Sequence, residues 1–287
     1  MIRLPANVFT SGYHGLEQAG RAYPAQDIQF TDIYLSRAGA DDRAESWYIP
    51  QATANEIKGH AMYQPPHFRE DRIEIQHGLI RAHPLGLLIT AGPGGLIANP
   101  FPFLLDAKTS GQEASGQEGQ EESHNGTLRL HIARANPQWR ELESVEECLV
   151  VFQGPQDYVT PSWYATKRET GKVVPTWNYA TVHAWGRPRI MNDDAWLRRQ
   201  IKDLTRSRES SRAEPWQVDD APAEFVAAQM RGIVGVEIPI LRIEGKWKMS
   251  QNRPVADRLG VIAGFRQAGE AGEEIAGLVA ERGGPLK

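Results

Sequence analysis

Residues 158–179, YVTPSWYATKRETGKVVPTWNY, crowd rings, hydroxyls and cations into one short span. Trp163 and Tyr164 offer flat apolar faces with a polar edge, the shape that lies against a planar ring. Thr160, Ser162, Thr166, Lys167 and Arg168 add the hydroxyl and cationic donors that hold a phosphate. Thr176, Trp177 and Asn178 follow, and the Asn178 amide can both donate to and accept from a heterocycle edge. The same residues also read as the aromatics of a β-rich core with solvated charges around a turn, because Trp and Tyr are enriched in strands.

Two further clusters repeat the mixture. In HIARANPQW, Arg134 ends an alternating stretch and can grip a phosphate with two parallel hydrogen bonds, while Asn136 and Pro137 form a stiff corner ahead of Trp139. A surface arginine at a strand end is the plainer reading of Arg134. In GKWKMSQNRP, Trp247, Gln251, Asn252 and Arg253 again combine a ring with polar donors. Three such clusters at three strand ends are expected to converge on one site.

Other chemistries find little support. His60, His67, His77 and His83 lack the short helical spacing of a zinc site, and the chain has no Cys-x-x-Cys pair, so no metal is expected. GPGG at 92–95 lacks the Lys-Ser/Thr ending of a phosphate loop and reads as a hairpin turn. No Gly-x-Ser-x-Gly elbow is present, and no residue is assigned a catalytic acid–base role.

These clusters need strands to position them. LGLLITA (85–91) reads as a fully buried strand, and TLRLHIAR (127–134) alternates so that Leu128, Leu130 and Ile132 share a face. ECLVVFQG (147–154), VVPTWNYATVHAWG (173–186) and IVGVEIPILRIEGKWKMS (233–250) continue the series, each rich in β-branched and aromatic residues. A helix is predicted from an Asn192 or Asp193 cap, with Leu197, Ile201 and Leu204 on one face. A second is predicted behind a capping Asp ahead of Ala221 and Pro222, ending at Gly232, and a third from Pro254. Mostly antiparallel strands with a few covering helices favour a barrel or a sandwich over a doubly wound sheet.

The chain of 287 residues has 40% hydrophobic content, enough for a substantial core. Its one cysteine, Cys148, sits in an apolar run and reads as a buried small hydrophobe, which together with the lack of disulfides suits an intracellular, cytoplasmic protein. No run approaches a membrane span and no secretory leader is visible. A net charge of −4 gives no overall attraction to nucleic acid. Arg198, Arg199, Lys202, Arg206 and Arg208 could form a local patch, but interspersed acids explain them equally well as a solvated helix face. Residues 1–61 read as a polar extension ahead of Met62, and 107–126 as a disordered Gly/Gln/Glu-rich insert.

MYQPPHF, HPLGLLIT, HIARANPQW, VVFQGPQDYVTPSWY, ETGKVVPTWNY and EGKWKMSQNRPVADRLGV together resemble the PaiB family of FMN-binding split-barrel proteins, named for a bacterial negative regulator of protease synthesis and sporulation. The resemblance runs from about Met62 to Phe265. It implies a mainly β (α+β) fold, a six-stranded antiparallel Greek-key split barrel with peripheral helices, over residues 62–267, followed by a tail at 268–287. It further implies a homodimer with FMN near the subunit interface. Carried onto this chain, Arg134, Lys167, Ser162 and Thr166 would hold the phosphate, with Asn136 at the same corner. Trp163 and Trp177 would flank the ring system, while Thr176, Asn178, Gln251 and Arg253 would donate to its polar edge or to the ribityl chain.

The implied role is a negative transcriptional regulator with FMN as sensor or structural ligand. An FMN-dependent oxidoreductase acting on a small molecule is the alternative. A haem-binding or haem-degrading protein, with His131 or His183 as the axial ligand, is the third reading.

Overall fold

The computed structural model describes residues 62–107 and 125–285, within a compact unit spanning Gly59–Lys287. The expectations for the N-terminal extension and for most of the acidic insert fall outside the described residues.

Strands come first because alternation dictates them. In β6, which follows five strands considered below and spans Cys148–Val159, the side chains of Cys148, Val150 and Phe152 are buried while Leu149 and Val151 are half-buried on the opposite face. In β7 (Thr176–Gly186), Asn178, Ala180, Val182 and Ala184 point inward, whereas Tyr179, Thr181 and His183 lie on the outer face. A one-residue slip would exchange these faces, so burial fixes the register.

The long strands are β2 (Leu85–Gly92), β3 (Gly95–Pro102), β5 (Thr127–Ala133), β6, β7 and β9 (Ile233–Lys248). Their spatial order is β3-β2-β6-β7-β9-β5, antiparallel at each ladder. Short strands β1 (Arg69–Glu70) and β8 (Arg189–Met191) pair with β9. The sheet closes through β4 (Leu104–Asp106), which continues β3 after the buried Phe103 and pairs with β5 at the far end of the order. This is the split barrel expected from the sequence.

The strand β9 serves both halves. Its first part, Ile233–Pro239, pairs with β5, and its second, from Ile240, pairs with β7. Gly186 makes the crossover possible: a β-carbon there would lie 2.2 Å from the Pro239 carbonyl oxygen. The barrel interior is filled by fully buried side chains such as Leu88, Leu130, Phe152, Val182 and Ile238. Phe103 meets Phe152 edge to face at 5.4 Å between centroids.

Helices cover the barrel. They are α1 (Ile73–Ala82), α2 (Gln138–Glu141), α3 (Ala165–Thr170), α4 (Asp194–Glu209), α5 (Ala223–Arg231), α6 (Val255–Gln267) and α7 (Glu270–Arg282). The Asp193 side chain accepts from the Trp196 amide and caps α4, as its sequence predicts. The Gly92–Gly95 pair closes the β2–β3 hairpin around Pro93 and Gly94.

Three expectations need correction. The run at 85–91 is not buried on both faces: Leu88 is fully enclosed, but Leu85 is 65% exposed and Leu87 37%, because only one side of β2 meets the core. Asp220 does not cap α5; it accepts from the Gln217 amide in the preceding turn, and Pro222 starts the helix without a side-chain cap. The tail predicted at 268–287 contains α7, whose Ile275, Ala276 and Val279 enter the main core. Arg258 of α6 holds the end of α7 by donating to the carbonyls of Gly283, Gly284 and Pro285.

Candidate functional site

The aromatic span forms a corner docked on α6. Thr160 accepts from the Ser162 amide at 3.3 Å, a one-turn helix spans Pro161–Trp163, and α3 ends at Gly171 with φ of 67°. Thr166 donates twice to the fully buried Asp257, from its amide at 2.9 Å and from its hydroxyl at 3.0 Å. The Trp163 indole packs edge to face on Phe265, centroids 5.0 Å apart, and lies over Gly264, where a β-carbon would be 2.2 Å away. Trp163 and Thr166 thus anchor the corner to α6. Lys167 and Ser162 remain on its exposed side, joined by a 3.0 Å hydrogen bond.

The ends of β7 and β9 meet beside this corner. Lys248, the last residue of β9, lies directly opposite Tyr179 and donates to the Thr176 hydroxyl at 2.5 Å and to the Trp177 carbonyl at 2.6 Å. Burial, reinforced by the positive charges of Lys246 and Arg253, lowers its pKa to about 8. An ammonium has three donors, so one remains for a ligand. Ser250 adopts φ of 60° and donates to the buried Asn178 at 3.1 Å. The Asn178 amide nitrogen is itself buried without a partner among the described residues. Gln251 is occupied otherwise than expected: its carbonyl accepts from Met249 and its amide donates to Trp247, which stiffens the turn leaving β9. The Arg253 guanidinium stacks 4.5 Å above the Tyr164 ring. Trp177 is 52% exposed and meets Tyr158 edge to face.

The same outer face continues into a hollow of about 320 Å³ lined by Gln153, Gln156, Tyr179, Thr181, His183 and Lys246. The ladders explain this company: Gln156 opposes Tyr179, and Gln153 and Lys246 flank Thr181 from either side. Lys246 is only 7% exposed; it donates to the Tyr63 carbonyl at 2.8 Å and lies between the Tyr63 and Tyr179 rings. Burial lowers the His183 pKa, with Glu244 opposing that shift. Lys246, Lys248, Tyr179 and the two glutamines were not singled out by sequence. The signal was available in KWK, where alternation puts both lysines on one face.

Arg134 and Asn136 lie elsewhere. Because β5 and β9 are antiparallel, Ala133 faces Ile233, so the end of β5 meets the beginning of β9 while Gln251 and Arg253 follow its far end. Arg134 donates to the Arg231 carbonyl and to Asn192, and Asn136 accepts from the Gln138 amide. Of the three clusters, two converge within one chain and the third does not.

The convergent residues suit a flat ring joined to a phosphate. Lys246, Lys248 and Arg253 have no carboxylate in salt-bridge contact among the described residues, so the neighbourhood favours an anion. Exposed Trp177 and Tyr158 offer flat surfaces and the hollow has the scale of a ligand site, whereas Asn178, expected to contact the ring, is fully buried on the core side of β7 and does not reach this face. The residues present fit FMN. Among the described residues, no group of His, Cys, Asp and Glu could hold a metal ion, and no helix is long and apolar enough to cross a membrane.

Known proteins resemble this chain at the level of family. Residues 62–242 match the family described as "Putative FMN-binding domain". Protein AN0679 of Emericella nidulans is 41% identical over 254 residues, covering 77% of this chain and 98% of that protein. The protease synthase and sporulation protein PAI 2 of Bacillus subtilis is 30% identical over 201 residues, covering 70% of this chain and 87% of that one. Among solved structures, the flavocytochrome Anf3 of Azotobacter vinelandii aligns with a TM-score of 0.44 at 14% identity, over 63% of this chain and 69% of that one. By the family match and the identity to PAI 2, this chain belongs to the PaiB family of FMN-binding domains.

Proposed function

We propose that the protein is an FMN-binding flavoprotein in which the flavin serves as sensor or structural ligand of a PaiB-type negative regulator. The observation that carries the flavin reading is the set of cations without a bonded carboxylate among the described residues, Lys246, Lys248 and Arg253, beside exposed rings and a hollow on one sheet face. In this reading Lys248 and Arg253, with Ser162 and Lys167 at the corner, neutralise the phosphate. Trp177, Tyr158 and Tyr179 border the ring system. When bound, FMN supplies hydride and electron transfer chemistry. The regulatory half rests on the likeness to PAI 2.

Direct contact with DNA would fall to the exposed arginines of α4, Arg198 and Arg199. It requires binding that weakens steeply with salt, since phosphate contacts release counterions. A homodimer is part of the same proposal, supported by the exposed leucines of the β2–β3 hairpin.

A second reading, an FMN-dependent oxidoreductase acting on a small molecule, draws on His183. This imidazole lines the hollow and can hold or release a proton beside a substrate.

The test begins with absorbance of the purified protein with and without FMN. Saturable flavin binding supports the proposal, and failure to take up FMN removes it. Anaerobic titration with NADH or NADPH then separates the readings: bound flavin that bleaches favours the oxidoreductase, and flavin that stays oxidised favours the sensor.

A further inference from the structure

On the other half of the barrel, the outer side of β5 and of early β9 is covered by α4, α5 and the turn between them, which build a second core from Trp196, Leu197, Val218, Val226 and Met230. This cover is incomplete. A hollow of about 290 Å³ remains, walled by Ile201, Val226, Met230 and Ile233, with His131 on its lining and Phe225 and Trp216 at its rim. Phe225 is 56% exposed and Trp216 49%, an arrangement that leaves two large rings in water around an apolar opening.

Two features distinguish this opening from a packing fault. His131 is the one titratable lining residue, and its Nδ1 is buried without a hydrogen-bond partner among the described residues. Burial alone lowers its pKa and so favours the neutral ring. Thr205, Trp216 and Val218 also line a neighbouring hollow of about 530 Å³, whose wall carries Lys202 and Arg206. The two carboxylates of this wall are both engaged, Asp219 with Lys202 at 2.6 Å and Glu209 with Arg212 at 3.1 Å, whereas Arg206 has no carboxylate in salt-bridge contact among the described residues. An apolar chamber thus adjoins a hollow bearing an uncommitted guanidinium.

We propose that the paired hollows form a second small-molecule site, separate from the flavin site, for an amphipathic organic anion. Its ring body enters the chamber between Phe225 and Met230 beside His131, and its carboxylate or sulfonate meets Arg206. Charge complementarity selects an anion over a neutral ring, and the chamber's dimensions select a compact ring body over an extended chain.

The probe is 1-anilinonaphthalene-8-sulfonate, titrated by fluorescence into the full-length protein with and without saturating FMN. N-phenyl-1-naphthylamine, the same skeleton without the sulfonate, is the neutral control. Saturable binding of the sulfonate dye is expected, undiminished by FMN. Arg206→Gln is expected to weaken the sulfonate dye on the order of tenfold while leaving the neutral dye unchanged, as loss of a charge-assisted contact requires. Phe225→Ala is expected to weaken both dyes. Both substitutions lie at exposed positions, and unchanged circular dichroism and melting establish that the fold is intact. Displacement of the dye by FMN, absence of saturable binding, or an affinity indifferent to either substitution overturns the proposal.

Discussion

Lys248 and Thr176 join the last residue of β9 to the first of β7 through an ammonium–hydroxyl hydrogen bond of 2.5 Å. The ammonium is held there with Lys246 and Arg253 as electrostatic neighbours, and its pKa falls to about 8. Replacing Lys248 with Gln is expected to weaken FMN binding roughly 10- to 100-fold, the range for a lost charge-assisted hydrogen bond. The wild-type affinity should also decline as pH rises through about 8, because deprotonation removes the charge. Binding of an anion opposes that loss and draws a proton onto the lysine. The ligand-free protein carries the opposite trend: with the folded pKa below the unfolded value, this group adds stability as pH rises from about 8 towards 10.5, the ordinary value for lysine. Flavin titrations from pH 6 to 10 check both variants, and an equal slope in wild type and Lys248→Gln would remove Lys248 from the site.

Acid stability should depend on Glu70. Burial alone would raise its pKa, but hydrogen bonds from Arg72 and Arg282 overcome that effect and hold it at about 2. The contact ties β1 to the end of α7. A depressed carboxylate pKa contributes stability above the unfolded value, lost as pH falls from about 4.5 towards 2. Glu70→Gln is expected to cost about 3 kcal/mol at neutral pH, because the largely buried Arg282 then keeps only its longer contact to the exposed Glu281. Urea unfolding at pH 7 and pH 3 measures it. The difference between wild type and variant should shrink at the lower pH.

The barrel was legible because its strands alternate. Leu128, Leu130 and Ile132 point inward from β5, and Asp193 marks the start of α4. Topology was less visible. Nothing in the segment around Arg134 reveals that β5 pairs with the first half of β9, which separates that arginine from Gln251 and Arg253. Glycines and glutamates masked α7, although Ile275 and Val279 stand one helical turn apart and both reach the core. Lys246 and Lys248 were overshadowed by Trp247 between them. Their importance depends on burial beside β7, a property of the sheet rather than of the segment.

Two glycine substitutions should move stability in opposite directions. At Gly264 a β-carbon would stand 2.2 Å from the Trp163 indole, so the ring must leave its seat on α6. Gly264→Ala is expected to cost about 1–3 kcal/mol by overpacking and to lower FMN affinity by shifting the corner that carries Ser162 and Lys167. Gly277, in the exposed face of α7, has nothing within 4 Å of its would-be β-carbon. There alanine only restricts the unfolded chain and improves helix propensity, for a gain of about 0.5–1 kcal/mol. Thermal melts and flavin titrations of both variants separate a positional effect at Gly264 from a general intolerance of alanine.

The outer face of the β2–β3 hairpin supports the last prediction. Leu85 and Leu87 point away from the core, Leu87 faces Pro100 on β3 and Val151 on β6, and Leu96 is 79% exposed towards the hairpin turn. Single exposed leucines are ordinary, but a row running across adjacent strands suits burial against another copy of the chain. The row approaches the flavin hollow, since Val151 pairs with His183. Leu87→Asp should therefore turn a dimer into a monomer by light scattering while leaving circular dichroism unchanged, because this side chain already meets solvent on its outer face. If the flavin site is completed across two copies, the same substitution should also reduce FMN retention, although Leu87 belongs to none of the proposed flavin contacts. A wild-type protein that is monomeric at micromolar concentration would remove the dimer, and a monomeric variant with undiminished flavin affinity would confine the site to one chain.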